Sequence, residues 1–381
     1  MLNDLTKLIK SVYGDKEVYP LHEPCIKGNE KKYVNDAIDS TFVSSVGAYV
    51  DDFEKKIASI AGTDHAVATV NGTAALQVAL KLSGVESDTE VITQPLTFVA
   101  TSNGIKYTGA DPVFVDISED TLGMSPRALK KFLDEHIELN EESLPINTLT
   151  NKKVTACVPM HTFGFPCEIE EIIEVCDSYN IPVVEDAAES LGSYKGGKHT
   201  GSFGQSGIFS FNGNKIVTAG GGGAIVTNDQ ELAKKAKHIT TTAKVPGTRD
   251  YYHDMTGYNY RMPNLNAAFV CAQLEMLDEF IDFKRNLASK YSDFFISSGH
   301  HFFNEPENTG SNYWLNTVIA PNKKEREQAL DHLNDNKILA RPAWILMNEL
   351  PMYKDCICGD LQTADELQGR IYNLPSGVNK G

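Results

Sequence analysis

The chain has 381 residues, of which 41% are hydrophobic and 23% are charged, and this composition is typical of a globular protein with about two domains. The formal net charge of −16 argues against a nucleic-acid partner, because phosphate backbones are bound by clustered Lys and Arg. A small anionic ligand stays possible, since a few local donors can overcome the overall charge.

The sequence predicts neither a membrane segment nor a metal site. It contains no apolar run of about 18 residues, so we expect no transmembrane helix and no membrane partner. The seven cysteines are scattered, which is typical of reduced thiols and predicts a cytoplasmic protein. No Cys or His pairs occur at zinc-site spacing, so we expect no metal.

The N-terminal and central parts of the chain predict different kinds of element. Residues 1–13 have apolar side chains at helical spacing, which predicts an amphipathic docking helix rather than a signal peptide or membrane anchor. From residue 50 to 230, helical and strand patterns alternate. The predicted helices are 53–61, 73–82, 126–136, 169–179 and 230–238, and the predicted strands are 65–70, 90–93, 112–116, 154–158, 181–185, 207–211 and 224–227.

This order predicts the α/β class, with a mostly parallel central sheet and helices on both faces. Residues 137–153 are polar and predict an irregular surface insertion. A long helical pattern over 263–292 is followed by a strand at 313–321, a helix at 324–336 and a strand at 338–342. We therefore expect a large domain of residues 1–262, and a second unit of residues 263–381 that combines the linking helix with a small C-terminal α+β domain.

Lys215 follows the strand 207–211 and the turn-favouring dipeptide Asn212-Gly213. Ligands of α/β sheets bind at the carboxyl ends of strands, so a lysine at this point can form a Schiff base with a carbonyl cofactor. A solvated surface lysine in a hairpin is the alternative, and it is the commoner fate of such a residue.

Two other strand ends carry groups that suit a charged ligand. Asn71-Gly72-Thr73 opens a helix, whose free N–H groups and positive dipole end can bind phosphate; a simple capping turn is the alternative. Asp186 ends the strand 181–185 and can keep a heterocyclic nitrogen protonated, although it can equally cap the next helix.

Three further features are weak when taken singly. Phe98 lies in a predicted loop and can stack on a planar cofactor, although burial in the core is the commoner fate. His161 follows the strand 154–158 and either faces the same site or is structural. Residues 257–262 form either an active-site loop or a tyrosine-rich surface. Phosphate donors, an aromatic ring, an aspartate and a lysine at one sheet edge are together the groups that bind pyridoxal phosphate (PLP).

Six segments carry a resemblance to a known family: 71–76 (NGTAAL), 97–101 (TFVAT), 184–188 (VEDAA), 210–215 (SFNGNK), 257–262 (GYNYRM) and 373–376 (NLPS). In these segments the chain resembles the DegT–StrS family of nucleotide-sugar aminotransferases, which are fold type I PLP enzymes. The resemblance runs from near residue 30 to the C terminus. The insertion 137–153 and the segment 211–215 look most like the subgroup of the legionaminic-acid and bacillosamine-type pathways.

The resemblance implies a role for each residue at the ring end of the cofactor. Lys215 would form the Schiff base, Asp186 would pair with the pyridine nitrogen, and Phe98 would stack on the ring. Glu189 would lie near the ring hydroxyl. It departs from the Gln or His common in the family, and two carboxylates near one ring repel each other unless one is protonated.

The resemblance also implies how the phosphate is held. The hydroxyls of Thr73 and Ser210 and the amide of Ala74 would bind it. Asn259 would reach the phosphate of the neighbouring subunit's cofactor, which implies an obligate homodimer with shared active sites.

The implied activity is transfer of an amino group from L-glutamate to C4 of a 4-keto-6-deoxy-N-acetylhexosamine nucleotide, with UDP as the expected nucleotide and pyridoxamine phosphate as the second form of the cofactor. Lysine at position 215 favours transamination over the related sugar dehydratases that have His there. A 3-keto sugar aminotransferase and a non-catalytic PLP-binding regulator are the alternatives. Lys244, Arg249 and Arg341 are candidate ligands of the diphosphate, and Trp314 and Trp344 line the substrate cleft or pack in the core.

Overall fold

The computed structural model describes residues 1–247 and 249–379. Its helices are α1 (Leu2–Tyr13), α2 (Glu30–Asp39), α3 (Ala48–Ala61), α4 (Gly72–Leu82), α5 (Val99–Lys106), α6 (Pro126–His136), α7 (Ile169–Asp177), α8 (Gln230–Thr240), α9 (Asn264–Leu274), α10 (Leu277–Phe295), α11 (Lys323–Asp335) and α12 (Gln362–Gln368). Short 3₁₀ turns occur at Thr162–Gly164 and Met347–Glu349.

The strands complete the inventory of regular elements. They are β1 (His65–Thr69), β2 (Glu90–Thr93), β3 (Asp111–Phe114), β4 (Ile137–Leu139), β5 (Pro145–Asn147), β6 (Lys152–Val158), β7 (Val184–Asp186), β8 (Tyr194–Lys195), β9 (Lys198–His199), β10 (Ser206–Ser210), β11 (Gly223–Thr227), β12 (His301–Phe302), β13 (Thr309–Gly310), β14 (Asn316–Ile319), β15 (Arg341–Pro342) and β16 (Ile371–Leu374).

The central sheet has the order β3-β2-β6-β7-β10-β11-β1, in which a bridge between Cys157 and Val183 joins β6 to the segment leading into β7. β2 runs parallel to β3 and β6, and β10 runs parallel to β7. β11 is antiparallel to both of its neighbours. It follows β10 through a loop without a helix, and antiparallel neighbours can be joined by such a short connection. The predicted α/β class is therefore confirmed, and β11 is an antiparallel member of the mostly parallel sheet.

Helices cover both faces of this sheet. Alternate residues of each strand point to opposite sides, so each face contributes side chains to its own buried cluster. Ile208 and Ile225 share a buried cluster with residues of α4 and α8. Phe209 and Ala224 share another with residues of α3 and α9. Burial on both faces explains why the central strands are apolar runs and not alternating ones.

Three stretches differ from the elements that the sequence predicts. The insertion 137–153 is not irregular, because β4 and β5 form an antiparallel hairpin that extends the sheet from β6. Its buried Asn147 donates to the Glu90 carboxylate at 2.7 Å. The stretch predicted as a loop at 95–101 runs into helix α5. The long pattern over 263–292 is two helices, α9 and α10, that meet at Glu275–Met276.

The C-terminal unit contains the antiparallel sheet β12-β14-β16-β15. Helix α1 docks on this unit: Leu5 and Ile9 are fully buried in the same cluster as Leu333 and Tyr372. The N-terminal helix, which the predicted boundaries assign to the large domain, thus contributes to the core of the second unit. The boundary between residues 262 and 263 stays a prediction, and residues 380 and 381 lie outside the described chain. Every helix in the described part of the chain is too short or too polar to cross a bilayer.

Candidate active site

A cavity of about 710 Å³ opens where β7 and β10 end and helix α4 begins. The central sheet and its helices supply one wall, and the C-terminal unit supplies the other. The polar and aromatic lining residues used below are Gly72, Thr73, Phe98, Asp186, Glu189, Ser210, Lys215, Trp314, Arg341 and Trp344. Because this cavity lies at the carboxyl edge of parallel strands, it occupies the usual ligand position of an open α/β sheet.

Lys215 is partly enclosed in this cavity, and its side chain is 11% exposed. Its backbone amide closes a turn onto the Asn212 carbonyl at 3.0 Å, directly after β10. Its Nζ lies 3.3 Å from Glu189 Oε1 and 4.1 Å from the centre of the Trp314 ring. Among the described residues, Lys215 is the only lysine that lines the cavity. The alternative of a solvated hairpin lysine is therefore wrong.

Asp186 ends β7 and is buried on the cavity wall. Its Oδ2 accepts from the Thr101 hydroxyl at 2.7 Å, and its Oδ1 accepts from the Ala188 amide at 3.1 Å. Burial raises the pKa of this carboxyl above its usual value. Within the described chain, no cation lies within ion-pair distance of it, so a protonated ring nitrogen would supply the opposite charge that a buried carboxylate requires.

Glu189 is the second buried carboxyl group on this wall. It accepts from the Phe163 amide at 2.9 Å in addition to its contact with Lys215. Burial is the main cause that raises the pKa of Glu189 to about 7. The Phe163 backbone has a φ of 57°, a left-handed conformation that a bulky residue rarely adopts and that aims its N–H at Glu189.

The start of α4 forms an anion cradle beside Ser210. A Cβ added at Gly72 would lie 2.9 Å from the Ser210 Cβ, so glycine is needed for this close approach. The Thr73 and Ser210 side chains both belong to cavity-lining residues. The hydrogen bonds of the described residues leave the Gly72 and Thr73 amides without a partner. These amides and hydroxyls suit a phosphate, because the helix N-terminus also carries a positive dipole end.

The Ala74 amide differs from the expectation for this cradle. It donates to the Asn71 side chain at 2.8 Å, as part of the helix cap, and Ala74 does not line the cavity. The family resemblance implied that the Ala74 amide binds phosphate. Asn71 is instead a strong N-cap residue, and its side chain competes for this amide. The amides one and two positions earlier have no partner among the described residues, so they are available as phosphate donors in its place.

Phe98 has the exposure that a cofactor-stacking ring requires. The residue is 48% exposed, borders the cavity and precedes α5 as its N-cap. Its ring centre lies 6.2 Å from that of Trp344. Burial in the core, the alternative for this residue, is wrong.

Several candidates lie outside the cavity. His161 is fully buried and bonds the Glu185 carboxylate through Nε2 at 3.0 Å, so it supports the end of β7 from behind rather than facing the site. Asn259 is exposed. Lys244 lies over the Tyr251 ring at 4.0 Å, and Arg249 is also exposed; neither lines the cavity, whereas Arg341 does.

Sequence reasoning missed Thr101 as a contact of the predicted site, and it named Trp314 only as a residue of the substrate cleft or the core, without its contact with Lys215. Thr101 bonds Asp186, and Trp314 covers Lys215. A signal for Thr101 was available, because it follows Phe98 by three positions and a helix places such residues on neighbouring faces. No local signal links Trp314 to Lys215, since the two residues lie in different units of the chain.

The described residues fit PLP. The cavity combines free phosphate donors at α4, an uncompensated buried carboxylate at Asp186, a half-exposed ring at Phe98 and one enclosed amine at Lys215. These are the four groups needed for its phosphate, its ring nitrogen, its ring face and its aldehyde.

Comparison with known proteins agrees with this fit. Residues 24–379 match the model of the DegT/DnrJ/EryC1/StrS aminotransferase family. The chain is 39% identical to GDP-perosamine synthase of Escherichia coli O157:H7, over 94% of this chain and 93% of that protein. It is 36% identical to EpsN of Bacillus subtilis (strain 168), which is named for a pyridoxal phosphate-dependent aminotransferase, over 96% of this chain and 92% of that protein.

Solved structures share the fold. DesI, solved in the presence of its TDP-sugar product, aligns with a TM-score of 0.83 and 26% identity, over 98% of this chain and 92% of that one. Helicobacter pylori PseC, an aminotransferase of pseudoaminic acid biosynthesis, aligns with a TM-score of 0.84, over 94% of each chain; at 24% identity this likeness concerns the fold alone. The chain belongs to the DegT/DnrJ/EryC1/StrS aminotransferase family and is a PLP-dependent aminotransferase.

Proposed function

We propose that this enzyme transfers the amino group of L-glutamate to C4 of a nucleotide-linked 4-keto-6-deoxyhexose, and that its substrate is a UDP-linked N-acetylated sugar. The observation that carries the proposal is the enclosed amine of Lys215 between a carboxyl group and an aromatic wall. The overall exchange balances, because glutamate becomes 2-oxoglutarate while the keto sugar becomes an amino sugar.

PLP supplies a reactive aldehyde carbon and an electron-withdrawing ring that stabilises negative charge on the substrate carbon. Asp186 would keep the ring nitrogen protonated, which maintains that electron withdrawal. Thr73, Ser210 and the amides at the start of α4 would hold the phosphate, and Phe98 would cover one face of the ring. These residues bind and orient, so they set where the substrate carbon meets Lys215.

Lys215 would hold the cofactor aldehyde at rest and act as the acid–base group once its amine is free. As a free amine, Nζ takes the proton from the α-carbon of the amino donor, and as an ammonium it returns a proton. Glu189 lies 3.3 Å from this atom and burial raises its pKa to about 7, so it is suited to stabilise either charge state of Lys215.

The second wall of the cavity supports a sugar-nucleotide substrate. Arg341 lines the cavity, and no carboxylate of the described residues pairs with it, which leaves its guanidinium for an anionic ligand such as a diphosphate. Trp314 and Trp344 make this wall apolar, which suits the methyl group at C6 and an N-acetyl methyl. A volume of about 710 Å³ lies within the range of small-molecule sites.

Two candidate substrates differ in the base of the nucleotide that carries the sugar. The segments 137–153 and 211–215 resemble the enzymes of legionaminic-acid and bacillosamine-type pathways, which favours a UDP-linked N-acetylhexosamine. The relatives named GDP-perosamine synthase, at 35% to 39% identity, favour a GDP-linked 4-keto sugar instead. Amination of a 3-keto sugar is a further alternative within the family.

A substrate panel tests the proposal directly. The purified enzyme is incubated with glutamate and with UDP-linked N-acetylated 4-keto, GDP-linked 4-keto and 3-keto sugars in turn, and the products are identified by NMR. We expect the highest kcat/KM for the UDP-linked 4-keto sugar. A higher value for the GDP-linked sugar would replace the nucleotide in the proposal, and exclusive use of a 3-keto sugar would overturn C4 amination.

We expect Lys215→Ala to lower kcat by at least about 100-fold, since the variant loses both the aldehyde anchor and the acid–base amine. Lys234→Ala is the matched control, because Lys234 is exposed on α8 and pairs with the exposed Glu231. Steady-state assays with the preferred keto sugar measure the effect. Near-normal turnover of Lys215→Ala would contradict the assignment.

The cofactor-loaded wild-type enzyme also tests the alternative that the protein is a non-catalytic PLP-binding regulator. We expect the visible absorbance of the cofactor-loaded enzyme to fall when glutamate is added, because the first half of the exchange consumes the lysine-bound form. Absorbance that does not respond to any amino donor would favour a PLP-binding regulator without turnover.

A further inference from the structure

The amine end of Lys215 lies on the face of Trp314. The distance from Nζ to the ring centre is 4.1 Å, and the same nitrogen donates to Glu189 Oε1 at 3.3 Å. The face of an indole ring carries negative potential and attracts an ammonium group, most strongly where both are shielded from water. Trp314 is 4% exposed, so this contact is largely shielded.

Trp314 is held rigidly by contacts that do not involve Lys215 itself. Its amide donates to Asn312 Oδ1 at 2.7 Å, and its carbonyl accepts from the buried Lys284 Nζ at 3.1 Å. Its indole N–H donates to the Asn214 carbonyl at 2.8 Å, which ties the ring to the residue preceding Lys215. These hydrogen bonds hold the Trp314 ring in place relative to the backbone next to Lys215 and relative to the C-terminal unit.

We propose that Trp314 is a positioning residue whose ring face, together with Glu189, forms a docking site for the ammonium group of Lys215 when this side chain is not bound to the cofactor. The inference rests on the proposed role of Lys215 as the acid–base group. A lysine side chain has many rotamers, and a defined docking position keeps its nitrogen near the reacting carbon during the exchange. An aliphatic residue in place of Trp314 would fill space but attract no ammonium.

Trp344 provides a matched control on the same wall. Its ring packs against Phe163 at 4.8 Å and against Phe98 at 6.2 Å, and it makes no ring contact with Lys215 in the described structure. Substituting Trp344 with leucine removes another indole ring from the cavity lining and leaves the Trp314 ring beside the lysine in place.

The first test uses the full-length protein freed of cofactor, with wild type, Trp314→Phe, Trp314→Leu and Trp344→Leu. Each is treated with trinitrobenzenesulfonate, and the modification rate of Lys215 is measured by peptide mass mapping. We expect Trp314→Leu to raise this rate by roughly tenfold, because it loses both the cover and the cation–π contact, with Trp314→Phe much nearer to wild type. Both variants lose the indole N–H, so the difference between them isolates the ring face.

Lys284 is an internal control for this labelling. It is fully buried and contacts the Trp314 carbonyl, so it is protected as long as the local packing is intact. We expect it to stay unlabelled in every variant. Labelling of Lys284 together with Lys215 in Trp314→Leu would indicate a loosened core and would count against the proposal, as would equal Lys215 rates in wild type, Trp314→Leu and Trp344→Leu.

The second test uses the cofactor-loaded enzyme. Stopped-flow decay of the visible absorbance is recorded with L-glutamate and with glutamate deuterated at the α-carbon. We expect Trp314→Leu to slow the decay by roughly tenfold and to increase the deuterium isotope effect, because proton transfer by a misplaced amine becomes limiting; Trp314→Phe should recover most of the rate. An unchanged isotope effect in Trp314→Leu would overturn the positioning role.

The two tests also separate this inference from the proposed function. The labelling experiment requires no turnover, so it remains informative if the sugar substrate is another one. If the wild-type enzyme transfers amino groups normally and Trp314→Leu matches it in both tests, the docking site is refuted. The proposed function would not be affected by that result.

Discussion

At the scale of single residues, two buried carboxyl groups line the cavity that encloses Lys215, and burial raises the pKa of both. Asp186 accepts from a hydroxyl and an amide, which favours its ionised form even though burial raises its pKa. Glu189 has a pKa of about 7 and lies beside the Lys215 amine. Glu189 thus places a second titratable group next to the lysine.

The raised pKa of Glu189 predicts a pH-dependent stability. The usual pKa is 4.5 and burial raises it to about 7, so between these values the folded protein binds this proton more tightly than the unfolded chain does. The stabilisation is therefore fully present below pH 4.5 and is lost as the pH rises through about 7. We expect the free energy of unfolding of cofactor-free wild type to fall, relative to Glu189→Gln, by at most roughly 3 kcal/mol across this window.

Urea unfolding at pH 5, 6, 7 and 8 measures this difference. Glu231→Gln is the control, because Glu231 lies on the surface of α8 with its side chain 69% exposed. Its curve should run parallel to that of wild type. Parallel curves for wild type and Glu189→Gln as well would show that Glu189 does not carry the pH dependence.

At the scale of elements, the start of helix α4 determines the phosphate site. Asn71 caps the helix by accepting from the Ala74 amide at 2.8 Å, and the Gly72 and Thr73 amides have no partner among the described residues. The strand β11 packs tightly behind the cap: a Cβ at Gly223 would lie 2.4 Å from the Asn71 backbone. Glycine at this point is therefore a requirement of packing between two elements rather than of a turn.

We expect Asn71→Ala to lower the free energy of unfolding by about 1 kcal/mol and also to weaken PLP binding, because the first turn that orients the phosphate donors loses its cap. Asn322→Ala is a matched control, since Asn322 caps α11 in the same way, with Glu325 as donor at 3.0 Å, but lies away from the cavity. Chemical unfolding and titration of the cofactor-free proteins with PLP measure the two effects. Equal PLP affinities for both variants would contradict a role for the Asn71 cap in the cradle.

At the scale of the whole molecule, we propose a homodimer with shared active sites. Asn259 is exposed and lies outside the cavity of its own chain, so it can serve the cofactor site of a second copy. Large apolar side chains are also exposed, including Phe42 at 57%, Val46 at 66% and Tyr251 at 75%. Exposed apolar side chains mark an interaction surface where they form a contiguous patch, so these residues are candidates for the subunit contact.

Subunit complementation tests this arrangement. Lys215→Ala and Asn259→Ala are coexpressed with different tags, and the mixed dimer is purified. If Asn259 acts on the partner's site, one site of the mixed dimer carries both changes and the other carries neither, so we expect about half of wild-type activity at limiting PLP. If Asn259 acts within its own subunit, each site carries one change and activity is not recovered.

Local sequence patterns predicted much of the large sheet and its strand ends. The predicted helix 126–136 and strand 90–93 coincide with α6 and β2, because a Pro at the first turn and a short apolar run are strong local signals. Helix α5 and the β4–β5 hairpin were missed, because their sequences are mixed in polarity and tertiary packing overrides weak propensity.

The sequence by itself determined the α/β class, the order of strand ends and the residues that reach them, because parallel strands bring their carboxyl ends to one edge. Only the tertiary structure decided what surrounds Lys215. Asn214 and Trp314 are 100 positions apart, and their contact depends on how the C-terminal unit packs against the sheet. Burial, which raises the pKa of Glu189 and encloses the lysine, is likewise a property of that packing and has no local sequence signal.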